Sequence, residues 1–302
     1  MAGQPNKPLT VMGLVMVAMG AQYWFIPLGM LYLGWVLATK VILPDARAAL
    51  GLVIIGPLLA SSALMYNDYC DRRTDTGNPR KRWNLRFMNE VASPRVALAG
   101  SAALALAAVL LSWTLGAFFL ACTLACIGLS LLYSHPLTRL KAKGGMDLMV
   151  NVLGIGIIIP LMGWSLSGRP EGDFPFLYLV PVALALASLY APTTVADHDA
   201  DHRAGIGSLA VTLGKNATMW LSVAFLLSYI GANSALAAFG YVVPWRAMLW
   251  LWPFQAAQVG VYVWFIRSHD RDSIVRGLAA LSLMHTIGMG IFLLFYTGAI
   301  PI

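Results

Sequence analysis

Two runs of acidic residues stand out in a chain that otherwise carries little charge. The first, NDYCDRRTD from Asn67 to Asp75, spaces Asp68, Asp71 and Asp75 at i, i+3 and i+7, which predicts one shared helical face with Asn67 at its edge. The second, DHDAD, puts Asp197 and Asp201 at i, i+4 and turns Asp199 elsewhere on the helix. Like charges at such spacing repel, and carboxylates at or within a membrane are costly enough to mark functional sites, so a cation is expected among them. Hard oxygen ligands suit Mg²⁺, which keeps several waters and binds through one or two carboxylates plus substrate phosphate oxygens. The metal and a diphosphate therefore imply each other. Solvated helix ends paired with Arg72, Arg73 and Arg203 would account for any single Asp, but poorly for five in two spaced clusters. His198 and His202, also i, i+4, could ligate zinc with Asp201, yet the first cluster offers oxygen ligands alone, which favours Mg²⁺.

A third segment, YSHPLTRLKAKGG from Tyr133 to Gly145, carries Arg139, Lys141 and Lys143, whose cationic groups suit a departing diphosphate. Cys70, Cys122 and Cys126 make neither a disulfide framework nor a CxxC pair and read as free thiols.

The elements that position these residues must be membrane helices. Of 302 residues, 59% are hydrophobic and 11% charged, and the mean hydropathy is +0.73, which excludes a soluble surface. Apolar runs of roughly 20 residues cross a bilayer core, and spans are predicted near 20–43, 46–67, 94–113, 117–134, 146–166, 174–196, 217–239, 243–266 and 274–296. The first segment, 9–43, exceeds one upright span and holds Pro27 near its middle, which suggests a leading helix followed by a tilted or kinked span. All of this fits one membrane domain, 1–302. The N-terminus shows no cleavable signal, so the first span is expected to serve as its own insertion signal.

The net charge of +7 is distributed one-sidedly rather than as a nucleic-acid surface. Sixteen Lys and Arg fall on the side holding both acidic motifs, and four (Lys40, Arg47, Arg169 and Arg246) fall on the other. Over an odd number of spans this places the N-terminus and both motifs in the cytoplasm and the C-terminus outside, in a multi-pass protein of the inner membrane. Trp24, Trp245 and Trp252 read as interfacial belt residues.

With these motifs in view, the chain resembles the UbiA superfamily of intramembrane prenyltransferases over essentially its whole length. NDYCDRRTD is similar to the family's NDxxDxxxD motif, DHDADHRAGIGSLAVTLG to its second motif, and YSHPLTRLK to the tyrosine-plus-basic segment between them. The resemblance implies an all-α bundle of nine transmembrane helices around a central cavity open to lipid, with a prenyl tail in an apolar tunnel. It implies Mg²⁺-assisted ionisation of a polyprenyl diphosphate, geranylgeranyl diphosphate being the expected donor, then attack by a hydrophobic acceptor on the carbocation. By this resemblance Asn67, Asp68, Asp71 and Asp75 ligate through one Mg²⁺ and Asp197 and Asp201 through another. The five aspartates form the catalytic set, Arg139, Lys141 and Arg72 contact diphosphate, and Tyr133 contacts substrate.

Within the superfamily, Gly56–Pro57 and the wording NDYCDR resemble chlorophyll and bacteriochlorophyll synthases, which makes a chlorophyllide carboxylate the leading acceptor. Two departures are TGNPRKRWNLRF after Asp75, where those synthases have a NEPxRPIPSG-like segment, and Thr194, where their second motif begins with Asp. The alternatives are prenylation of a quinone precursor such as 4-hydroxybenzoate or a naphthoate, and a non-catalytic pigment- or lipid-binding partner in a membrane complex. A transporter would more often carry its carboxylates near the midplane on broken helices with repeat symmetry. The hydropathy excludes a soluble prenyl synthase.

Overall fold

The computed structural model of the chain describes residues 10–78, 81–267 and 271–300, and every regular element among them is a helix. Lys7 and Arg80, two of the charges counted above, and both chain ends lie outside the described residues. A backbone facing lipid must satisfy its own polar groups, and a helix does so within one segment.

Helix α1 (Val11–Ala18) is capped by Thr10, whose Oγ1 accepts from the Gly13 N–H at 3.1 Å. Gly20, at φ +66°, ends this leading element, and after a turn at Ala21–Tyr23 the chain enters α2 (Phe25–Thr39). The break thus falls at Gly20. Pro27, expected to kink the middle of the segment, sits in the first turn of α2, where a missing N–H leaves no hydrogen bond unmade.

Six further helices long and apolar enough to cross a bilayer follow: α3 (Ala46–Asp71), α4 (Pro94–Leu115), α5 (Ala117–Ser134), α6 (Met146–Ser165), α7 (Phe176–Arg203) and α8 (Lys215–Ala238). Then come α9 (Trp245–Arg267) and α10 (Arg271–Tyr296), and Ile274–Tyr296 within α10 is the seventh such span. All nine expected span positions hold helix, and among the described residues seven of these helices meet the length and composition of a span. At 15 residues, α2 is roughly 22 Å long, short of the hydrocarbon thickness.

Two spans are interrupted by wider π turns, Ile54–Ala60 in α3 and Val152–Ile158 in α6. The first contains Pro57, whose absent N–H and ring are accommodated by the relaxed turn. Helices α2 and α6 cross at backbone contact: a Cβ on Gly34 would lie 1.9 Å from the Pro160 carbonyl oxygen, and one on Gly163 the same distance from the Leu31 carbonyl oxygen. Small residues permit such approach where lipid supplies no hydrophobic drive between helices. Around this crossing Leu31, Trp35, Leu37, Ile54 and Met162 are buried. A second core joins α7 to α10 through Val195, Leu226, Tyr262 and Leu281, with the Tyr262 hydroxyl donating to the Ser188 carbonyl. The C-terminal ends of α3, α5 and α7 meet at one end of the bundle, where the polar loops after them interlock.

Candidate active site at one end of the bundle

Helix α3 delivers Asn67, Asp68 and Asp71 in its last two turns, and the helix stops there. The Thr74 hydroxyl bonds back to the Asp71 carbonyl at 3.0 Å, and Asp75 opens a short 3₁₀ turn, Asp75–Gly77. The first motif is therefore not one continuous helical face. Asp75 reaches the cluster through a turn, within electrostatic range of Asp68, Asp71, Lys81 and Lys141. Helix α7 runs unbroken through Asp197 and Asp201, as their spacing predicted.

Two carboxylates of the first motif, Asp68 and Asp71, are matched by cations. The Lys81 ammonium donates to Asp68 Oδ1 at 2.6 Å, and the Asn84 amide donates to Asp68 Oδ2 at 2.5 Å. Lys141 donates to Asp71 Oδ2 and, at 2.6 Å, to Asn67 Oδ1, while Arg139 reaches Asp71 Oδ1 at 3.2 Å. The Ser134 hydroxyl, from the end of α5, also donates to Asn67 Oδ1, at 3.1 Å. Asp68, Asp71 and Lys141 are 6, 6 and 7% exposed, so these charges are held with little water to screen them.

The second motif closes over the first. Asn78, just after the first motif, donates to Asp197 Oδ1 at 3.4 Å. Asp201 accepts from the Ser208 hydroxyl at 2.7 Å and lies within electrostatic range of Asp71 and Lys141. Glycines seat the loops: a Cβ on Gly207 would lie 2.8 Å from the Ala142 carbonyl oxygen, and one on Gly144 would strike the Thr212 side chain. The run Gly205–Gly214 thus presses the Lys141 loop against the end of α3. Asp147 locks the same junction, its Oδ2 accepting from the Leu209 N–H at 3.0 Å. Arg139 holds a left-handed backbone, φ +37°, a conformation costly for a side-chain-bearing residue, and its guanidinium spans Asp71 and Thr74.

Beneath the charges the Tyr133 and Tyr190 hydroxyls bond at 2.9 Å, and the Lys141 ammonium lies 5.8 Å from the centre of the Tyr133 ring. Arg72 turns away from this cluster, its guanidinium donating to the Tyr69 carbonyl at 2.7 Å and covering the Tyr69 ring at 4.5 Å. Asp199 also turns outward, to Lys215 at 2.7 Å and to His198 at 2.8 Å. The three cysteines are unbridged.

The surroundings bias the titrating groups. Burial raises the Asp75 carboxyl to about 7, the neighbouring Asp71 and Asp68 adding to the effect while Lys81 and Lys141 oppose it. Burial also lowers the Lys141 ammonium despite Asp71. For Lys81 burial acts in the same direction, but Asp68 outweighs it and the pKa rises.

Asn67, the five predicted aspartates, Arg139, Lys141 and Tyr133 all lie at this end of the bundle. Sequence reasoning missed the contacts made by Lys81, Asn84, Asn78, Ser134, Ser208, Asp147 and Tyr190. Lys81 and Asn84 were visible only as members of the divergent stretch after Asp75; which carboxylate they meet is set by the turn between them. Among the described residues no three His, Cys, Asp or Glu side chains converge closely enough to cage a metal by themselves.

No curated protein sequence matches this chain. Solved structures do. A UbiA homolog from Archaeoglobus fulgidus bound to DMAPP and Mg²⁺ superposes with a TM-score of 0.71 at 18% identity, over 94% of this chain and 99% of its own. The same homolog bound to GPP and Mg²⁺ gives 0.69 at 16% identity, over 92% and 99%. A UbiA homolog from Aeropyrum pernix K1 in its apo form gives 0.67 at 20% identity, over 89% and 98%. At these identities the likeness establishes the fold. Its sequence counterpart is the profile of the UbiA prenyltransferase family, which matches residues 27–287, most of the chain, and to that family the chain belongs.

Proposed function

We propose that the protein transfers a polyprenyl group from an isoprenoid diphosphate to a hydrophobic acceptor, releasing diphosphate, with Mg²⁺ as cofactor. The observation that carries this reading is the pairing of Asp68 and Asp71 with Lys81, Lys141 and Arg139 at a poorly solvated bundle end. The cluster is built around compensated charge, and its cations have further N–H groups that can be turned to a diphosphate.

The donor set fits Mg²⁺ by its chemistry: Asn67, Asp68, Asp71 and Asp75 from one side and Asp197 and Asp201 from the other offer oxygen donors, which suit an ion that completes its shell with phosphate and water. When bound, the metal supplies Lewis-acid stabilisation of the charge on the leaving diphosphate. Lys141 and Arg139, released from Asp71, bind the phosphate oxygens and hold them through departure. Lys81 and Asn84 orient Asp68. Tyr133 and Tyr190 floor the charged layer and exclude water from the allylic cation, whose charge an aromatic face can stabilise. The UbiA homolog solved with DMAPP, GPP and Mg²⁺ supports this donor class.

The wording of the first motif and Gly56–Pro57 favour a chlorophyllide carboxylate as acceptor, with geranylgeranyl diphosphate as donor. The second reading is a quinone-precursor acceptor: the stretch after Asp75 departs from the chlorophyllide-esterifying pattern, and its Lys81 and Asn84 touch Asp68 directly. The basic excess on the motif side supports a cytoplasmic active site in the inner membrane. The test incubates purified protein with Mg²⁺, labelled geranylgeranyl diphosphate and a panel of chlorophyllides, 4-hydroxybenzoate and naphthoates, with Asp71→Ala as control. Acceptor-dependent diphosphate release that Asp71→Ala abolishes is the expected result. Release that ignores the acceptor sinks the transferase reading.

A further inference from the structure

Helix α1 and the loop after the first acidic motif share a small core of their own. Leu14 and Ala18 of α1 are buried against Phe87, Met88 and Ala97, with Trp83 packed at the margin. Helix α1 carries no charged residue, and its eight residues reach roughly 12 Å, far short of a bilayer core. Gly20, just after it, packs on the Leu64 side chain one helical turn before Asp68. Val11 and Met12 are 64 and 70% exposed. An uncharged helix of this length beside the charged end of a membrane bundle lies along the boundary of hydrocarbon and headgroups, with its exposed side on lipid.

The short helix Arg82–Arg86, packed against α1, has two opposed faces. Arg82 and Arg86 are one turn apart, and both guanidiniums lie over the Trp83 ring, 4.9 and 5.7 Å from its centre. Asn84 points the other way and donates to Asp68 Oδ2 at 2.5 Å. Arg82 is exposed and, among the described residues, pairs with no carboxylate, while Arg86 meets Glu90 at 2.5 Å. Arg95, in the first turn of α4, is exposed as well, so three arginines stand against one glutamate in this stretch. A lone surface arginine is commonplace. Two guanidiniums stacked on one indole, next to an apolar helix at lipid depth, pair a phosphate-binding fork with a surface for acyl chains.

We propose that Arg82 and Arg86, stacked on Trp83, form a binding site for the phosphate of an anionic phospholipid whose acyl chains lie along the exposed side of α1. The guanidiniums offer paired N–H donors to phosphate oxygens, and the indole holds them at headgroup depth. A zwitterionic headgroup carries the same phosphate beside a neutralising ammonium, so the site selects net negative charge. Two basic residues at an anionic surface give roughly a thirtyfold preference, which the Glu90 carboxylate reduces to about tenfold. The site is separate from the diphosphate site, since the residue of this helix that touches Asp68 is Asn84, on the opposite face.

The test titrates the full chain in detergent with dioleoylphosphatidylglycerol or dioleoylphosphatidylcholine and counts bound lipids by native mass spectrometry. The first phosphatidylglycerol binds about tenfold more tightly than the first phosphatidylcholine. Arg82→Gln, which breaks no ion pair, lowers that preference at least about threefold, and the double variant Arg82→Gln/Arg86→Gln abolishes it. Arg246→Gln, at the other end of the bundle, leaves it intact. Hydrogen exchange in nanodiscs locates the site: replacing phosphatidylcholine by phosphatidylglycerol slows exchange across 82–91 in the wild type and not in the double variant. Turnover is not read, so the outcome is independent of the transferase reading. Equal binding of the two lipids, a preference that the double variant retains, or the same protection from inorganic phosphate in phosphatidylcholine nanodiscs overturns the proposal; the last would make the patch a site for free anions.

Discussion

Replacing Lys141 by methionine separates two roles that the site combines. The ammonium donates to Asp71 and to Asn67 at 2.6 Å, and the residue is only 7% exposed. Breaking a buried ion pair from one side costs roughly 3–5 kcal/mol when nothing else compensates the remaining charge. Arg139, at 3.2 Å from Asp71, does compensate, so the loss of stability in Lys141→Met should be nearer about 2 kcal/mol. The same group, once transferred to a phosphate oxygen, contributes a charge-assisted hydrogen bond of roughly 1.5–3 kcal/mol, so pyrophosphate binding in the presence of Mg²⁺ should weaken about thirtyfold. Binding of Mg²⁺ alone should move the other way. Without Lys141, Asp71 and Asn67 lose their competing cation, and the metal should bind about tenfold more tightly. Isothermal titration of the purified variant with MgCl₂, then with pyrophosphate at saturating Mg²⁺, reads both signs, and thermal unfolding reads the stability. A variant that binds Mg²⁺ more weakly than the wild type, or holds pyrophosphate equally well, refutes the idea that Lys141 moves from carboxylate to phosphate.

Asp71→Ala removes the carboxylate that both Lys141 and Arg139 contact, and kcat should fall by about three orders of magnitude or more while the helical circular dichroism persists; a loss under about tenfold would take Asp71 out of the catalytic set. Gly163→Ala places a methyl group 1.9 Å from the Leu31 carbonyl, so α2 and α6 must separate at a cost of about 1–3 kcal/mol or more. An unchanged melting temperature would show that the crossing yields freely. Asp75 gives a pH dependence in metal-free protein. Its folded pKa of about 7 lies above the ordinary 3.8, so the stability it contributes is full below about 3.8 and is lost as pH rises through 7. Melting temperature should therefore fall between pH 5 and pH 8, and Asp75→Asn should flatten that slope; identical slopes in the two proteins would remove Asp75 as the cause.

Much of this protein is written in the one-dimensional pattern. Apolar runs located the helices because lipid forces each segment to satisfy its backbone alone, and α4 and α5 begin and end close to where composition placed them. The acidic spacing in DHDAD was legible for a similar reason, since α7 is regular through Arg203 and its periodicity turns spacing into geometry. The same inference failed at Asp75, where the helix stops at Asp71 and the Thr74 hydroxyl closes a turn that spacing cannot reveal. Pro27 misled for a related reason: a proline marks a discontinuity, but only the fold decides whether it lies within a helix or at its start.

What the tertiary structure alone decided is partnership. The sequence supplied carboxylates and cations near both motifs, yet Lys81 meets Asp68 and Lys141 meets Asp71 across intervals of 13 and 70 residues, set by turns and by Gly207 pressed against the Ala142 carbonyl. Arg72, adjacent to Asp71 in sequence, meets Tyr69 instead. His285 carries no motif at all. It lines a cavity assembled by five helices, with its Nδ1 held beside the Leu281 carbonyl, and neither is a property of residues read in order. Local periodicity determines which residues share a helix face, because it depends on a few consecutive dihedral angles. Ion pairing and cavities depend on how distant helices cross, and the backbone contacts that fix those crossings exist only in the folded chain.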